Sequence, residues 1–88
     1  YGFRLTSRPT KSGFRMRIAA CDEQDIVVRR HRDGRYRAHF PIAGRDSVLE
    51  RIHVQTKEGA LTPQVMHVDL VGRAVAGGAR ITERRRAR

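Results

Sequence analysis

RIHVQTKEGALTPQVMHVDLV, residues 51–71, contains two short alternating runs, Ile52-His53-Val54-Gln55 and Met66-His67-Val68-Asp69-Leu70, separated by a polar connection that carries Gly59 and Pro63. Alternation of apolar and polar residues with a period of two marks a half-buried strand, and two such runs around a glycine- and proline-bearing connection predict a hairpin. Ile52 and Val54 then share one face, opposite Arg51, His53 and Gln55; Met66, Val68 and Leu70 oppose His67 and Asp69. The apolar face belongs to a core. The polar face is available for chemistry.

Working outward, residues 35–42 alternate in the same way, with Tyr36, Ala38, Phe40 and Ile42 inward and Arg35, Arg37 and His39 outward. Pro41 marks the end of that strand or an edge position, and Ala43-Gly44-Arg45-Asp46-Ser47 reads as the turn into a strand over residues 48–55. Further back, Phe14, Met16, Ile18 and Ala20 oppose Arg15 and Arg17, and a short strand over residues 1–7 precedes a turn-rich segment over 7–13. Residues 22–32 admit two readings. Asp22 as a cap, Glu23 and Asp25 in a first turn, Arg29, Arg30 and Arg32 in a last turn and Gly34 as a stop spell a short helix. The β-branched run Ile26-Val27-Val28, ending at Asp33-Gly34, spells a strand and a hairpin turn. The order of charges favours the helix. After Val71 the pattern is broken by Gly72, Gly77 and Gly78, so residues 74–88 read as an irregular basic extension. The expected fold is mainly β. A small closed or strongly curved β-barrel over residues 1–73, with one short helix over 22–32, would bury one face of every strand and leave few exposed edges.

Eighty-eight residues suffice for one domain. Nineteen Lys and Arg against nine Asp and Glu give a formal net charge of +10, and this charge is spread along the chain rather than confined to a tail. Distributed positive charge attracts polyanions by counterion release, which puts nucleic acid first among partners and an anionic membrane second. The strong preference for arginine over lysine suits phosphate, since the guanidinium fork makes paired hydrogen bonds. Cys21 is the single cysteine, which excludes an internal disulfide and a cysteine-based zinc site and fits a reducing compartment. No apolar run approaches the roughly 18–20 residues that span a bilayer, and no signal-peptide core is visible. The chain begins at Tyr1 rather than methionine, as expected of a processed or trimmed piece of a longer protein.

Catalytic signatures are weak. There is no nucleophile elbow, no glycine-rich phosphate loop and no pair of metal-ligating histidines at helical spacing. His31, His39, His53 and His67 permit a small basic ribonuclease, in which one imidazole takes the ribose 2′-hydroxyl proton and an arginine stabilises the phosphorane. A zinc site from His53, His67 and Asp69 is also sterically conceivable. Neither is favoured over polar residues on an RNA-facing surface, so no metal, cofactor or small-molecule substrate is expected. Asp69 is the anomaly, since a carboxylate on the outer face of a basic domain repels phosphate. It either accepts a hydrogen bond from a base edge or pairs with an arginine such as Arg51 or Arg73. The Arg84-Arg85-Arg86 cluster reads as a flexible basic tail that adds affinity without specifying sequence.

Val54-Gln55 at the end of one strand and His67-Val68-Asp69-Leu70 in the next resemble the C-terminal half of the bacterial large-subunit ribosomal protein L-twenty-five, or Ctc, family, and Tyr1-Gly2 is similar to that family's Tyr-Gly. The resemblance spans about residues 1–73, with Thr56-Lys57-Glu58 where the family has Arg-His-Pro. It implies a non-enzymatic β-barrel with a small helical component that binds 5S rRNA, next to large-subunit rRNA and neighbouring ribosomal proteins. Carried over by position, Gln55, His67 and Asp69 would read bases or riboses in a shallow RNA groove and Tyr1 would add a contact. Arg15, Arg17, Arg35, Arg37 and Arg51 would neutralise phosphates. The arginine-loaded C-terminus points to a mitochondrial ribosome, with a bacterial cytoplasm or plastid as alternatives.

Overall fold

A computed structural model describes residues 3–19, 21–57 and 64–86, without the side chains of Asp22 and Glu23. Seven strands follow one another as an antiparallel meander: β1 (Phe3–Leu5), β2 (Gly13–Ile18), β3 (Cys21–Arg30), β4 (Tyr36–His39), β5 (Ser47–Lys57), β6 (Gln64–Ala74) and β7 (Arg80–Arg86). Their spatial order equals their chain order, so each strand pairs with the one before and the one after.

The expected helix over residues 22–32 is β3. It runs between β2 and β4, with Val28 opposite both Phe14 and Ala38. Two flanking strands that each need a ladder partner outweigh a charge order worth only tenths of a kcal/mol per residue in a helix. One of the charges that point to a helix is satisfied across strands instead: Arg17 Nε on β2 donates to Asp25 Oδ1 on β3 at 2.9 Å. β-branched Ile26, Val27 and Val28 suit the extended chain. The strand ends in the turn at Asp33-Gly34, where Gly34 adopts φ +80°.

The expected irregular extension is also a strand. β7 pairs with β6 in continuous register from His67↔Arg86 to Arg73↔Arg80, and Gly77 and Gly78, both at positive φ, form the turn between them. Within the 51–71 hairpin the inner and outer faces are as the alternation predicts, with one exception. A shift between Gln55 and Thr56 lets Val65 take the inner position opposite Thr56, and Met66, expected inward, is 49% exposed.

The sheet is open, not a closed barrel, because β1 and β7 are the two ends of its order and do not pair. Curvature comes from the middle. β4 and β5 are joined by one register pair, His39↔Val48, and by the bond from Phe40 N–H to the Ser47 carbonyl at 3.1 Å. At this corner the chain passes through Pro41, Ile42 and a tight turn with Ala43 at φ +51°. The inner faces of both halves meet over one core: Cys21 and Ile26 from β3, Phe40 and Ile42 from the corner, and Val68 and Leu70 from β6. Met16, Ile18, Ile52, Val54 and Ile81 pack around it. A side-chain clasp takes the place of a closing ladder. Arg85 on β7 points inward, lies 4.9 Å over the Phe40 ring and donates to the Pro41 carbonyl at 3.0 Å. Glu83, also inward, accepts from Ala43 N–H at 2.6 Å and from Arg85 Nε at 3.0 Å.

Candidate nucleic-acid interface

The core and the clasp lie on the inner side of the sheet, and most polar residues of β2–β7 alternate onto the outer face. Among β5, β6 and β7 they form rows fixed by strand register. Gln55 lies opposite His67, which lies opposite Arg86; His53 lies opposite Asp69, which lies opposite Arg84; Arg51 lies opposite Val71, which lies opposite Thr82. The structure therefore brings Gln55, His67 and Asp69 together on one surface beside Arg51. Gln55 donates to the Thr56 carbonyl at 3.2 Å. Asp69 holds a two-point ion pair with Arg84, Nε to Oδ1 at 2.8 Å and Nη2 to Oδ2 at 3.2 Å, and His67 Nε2 stands 3.8 Å from Oδ2. Hydrogen bonding from Arg84 holds the Asp69 carboxyl below its ordinary value, with smaller help from the nearby charge of His67 and His53. The arginine partner of Asp69 is thus Arg84, rather than Arg51 or Arg73.

The outer face of β2–β4 is basic in a different way. Arg15 is exposed, Arg17 is paired with Asp25, and Arg35 is exposed just before β4. Arg37 is clamped by Asp33 at 2.7 Å and 3.2 Å, and this bond, with the Arg35 N–H, lowers the Asp33 pKa to about 2. His39 contacts His31 with Nε2 to Nε2 at 2.8 Å, and Arg29 Nη2 lies 3.2 Å from His39 Nδ1. Guanidinium nitrogen only donates, so Nδ1 of His39 accepts and its proton sits on Nε2, which donates to His31. Burial first, then the charges of Arg29 and His31, push the His39 pKa down. The two imidazoles thus engage each other through their facing nitrogens, with ring centroids 5.0 Å apart. The hydrogen bond from Arg29 to Nδ1 opposes metal binding at Nε2, since a metal-bound histidine donates through its other nitrogen rather than accepting there. No group of three or more His, Cys, Asp or Glu suited to a metal ion occurs among the described residues, His53, His67 and Asp69 included.

Tyr1 lies outside the described residues. The remaining expected residues, Arg15, Arg17, Arg35, Arg37, Arg51, Gln55, His67 and Asp69, all lie on the outer face, but in two halves divided by the β4–β5 corner. Sequence reading did not find Arg29, Arg73, Arg80, Arg84 and Arg86 as members of that face. For Arg29 the cause was the helix assignment of its segment. For the last three the cause was treating β7 as a tail, although Arg80-Ile81-Thr82-Glu83 already alternates.

The chain belongs to the family described as a domain of unknown function, DUF4833, whose model matches residues 1–84. No curated protein matches the chain, and no solved structure matches it.

Proposed function

Since membership in that family assigns no activity, we propose from the surface alone that the domain is a non-enzymatic RNA-binding module that docks through the outer face of its sheet. The observation that carries this reading is the segregation of charge. Exposed Arg15, Arg29, Arg51, Arg73, Arg80 and Arg86 share the outer face, whereas the inner face carries the core and the clasp. Such a face neutralises phosphates along a nucleic-acid backbone, and the Gln55 and His67 side chains beside it supply donors and acceptors suited to a wide, shallow RNA minor groove. In this reading Asp69 neutralises Arg84 and reads no base. The partner proposed, in line with the ribosomal resemblance, is 5S rRNA within the large subunit.

Fluorescence-anisotropy titration tests it, with 5S rRNA, an unrelated RNA duplex and single-stranded RNA compared at several salt concentrations. Binding should weaken with salt by about 0.7–0.9 in log K per log salt for each phosphate contacted. A preference for 5S rRNA supports the ribosomal partner, equal affinity for all folded RNAs reduces the reading to a general RNA-binding module, and absence of binding at low salt overturns it. RNA that is cleaved during the titration without added metal would return the ribonuclease reading.

A further inference from the structure

We propose that Arg51, Arg73 and Arg80 form a seat for a dianionic phosphate group. The three side chains come from adjacent strands and line one cleft of about 260 Å³, together with Glu50 and Val71. Register builds it. Arg51 on β5 stands opposite Val71 on β6, and two residues on, Arg73 stands opposite Arg80 on β7. Arg51, Arg73 and Arg80 therefore surround the Val71 side chain within one cell of the sheet, about 5 Å between strands and about 7 Å along them.

Two features of this cell are unfavourable for folding alone. Like charges directly opposite on neighbouring strands repel, and Arg73 faces Arg80 in that relation. The register shift between Leu49 and Arg51 then presents Glu50 and Arg51 in succession on the outer side, adding a third guanidinium. Glu50 offsets this in part, with its Oε2 3.8 Å from Arg73 Nε. Arg73 is oriented further by a hydrogen bond from Nη1 to the Gly78 carbonyl at 3.2 Å. Arg51 and Arg80 make no ion pair among the described residues. Three guanidinium charges less one carboxylate leave two positive charges, which matches the charge of about −1.5 to −2 that a phosphate monoester carries at neutral pH. Guanidinium forks bind such oxygens in pairs of parallel hydrogen bonds, and Val71 lines the cleft between them.

The carrier of the phosphate follows from the RNA reading, on which this part of the proposal rests: a terminal phosphate of an RNA strand. The seat itself does not depend on it, since inorganic phosphate presents the same chemistry. The test is NMR titration of the full chain with inorganic phosphate against sodium chloride at equal ionic strength, following the arginine Nε–H signals. Saturable shifts at Arg51, Arg73 and Arg80 with phosphate alone are expected. Arg80→Gln, on the edge strand where folding is least at risk, and Arg73→Gln should each weaken binding about tenfold, as loss of a charged hydrogen bond does. Glu50→Gln should tighten it. Shifts that grow linearly and equally in both salts overturn the seat. A second arm compares 5′-phosphorylated with 5′-hydroxyl RNA of one sequence, where the phosphorylated strand should bind more tightly and Arg80→Gln should erase the difference. Saturable phosphate binding without RNA binding would leave the seat and overturn the RNA carrier; RNA binding indifferent to the terminal phosphate, with no saturable phosphate shift, would do the reverse.

Discussion

Asp69 shows what a single side chain can decide on a basic surface. Both of its oxygens are engaged by Arg84, so in the folded chain it shields a guanidinium from phosphate. Asp69→Asn should therefore raise affinity for every RNA tested and steepen the salt dependence by about 0.7–0.9 in log K per log salt, the increment of one phosphate contact. Selective loss of one RNA in the same titration would instead make Asp69 a reader of base edges. His39 offers a second residue-scale prediction. Its pKa is depressed in the folded chain, chiefly by burial, so between the folded value and the ordinary 6.5 the unfolded chain binds the extra proton. Stability is full above pH 6.5 and declines as pH falls through 6.5 toward the folded value. Thermal melts from pH 7.5 to 5 should show that decline, and His39→Phe should flatten it. The rotation of the outer side chains was legible in the sequence at Gln55, His67 and Asp69, where alternation is unbroken. The partner of Asp69 was not, because it comes from a strand hidden behind three glycines.

At the scale of the element, β3 and β6 show where local rules stop. The period of residues 26–28 is too short to decide between helix and strand, and the charges at either end of the segment fit both. Pairing decided it, through strands that lie eight or more residues away, as in Arg17 with Asp25. In β6 the sequence shows Gly72 as a break, although it lies inside the strand, opposite Leu49 on one side and Ile81 on the other. Its place is set by close approach: a Cβ there would overlap the Val48 carbonyl, with the Ile42 Cδ1 at 2.8 Å. Backbone cannot yield as a flexible side chain does, so Gly72→Ala should cost about 1–3 kcal/mol, the range for overpacking a well-filled site. Chemical denaturation would measure it. An unchanged midpoint would mean that β5 and β6 separate here more easily than the register implies.

For the whole molecule, an open meander must stay curled without a closing ladder, and the inward charges of β7 are the device that does it. Charged side chains pointing inward on an edge strand also discourage edge-to-edge association. Arg85 spans from β7 to the β4–β5 corner, stacking over Phe40 and bonding to Pro41, and its neighbour Arg86 points outward opposite His67. Adjacent arginines should therefore fail in different ways when changed. Arg85→Met removes a partly buried charged hydrogen bond and leaves Glu83 without this partner, which should cost about 1–3 kcal/mol of stability. Arg85→Lys should recover only part, because an ammonium keeps the charge but loses the planar fork. RNA affinity, measured where the variant is still folded, should be unchanged. Arg86→Gln should leave the melting temperature nearly unmoved and lower affinity for all RNAs with a shallower salt dependence. If Arg85→Met lowered affinity as Arg86→Gln does while remaining folded, the inner face of β7 would be part of the binding surface and the two-faced arrangement would be wrong.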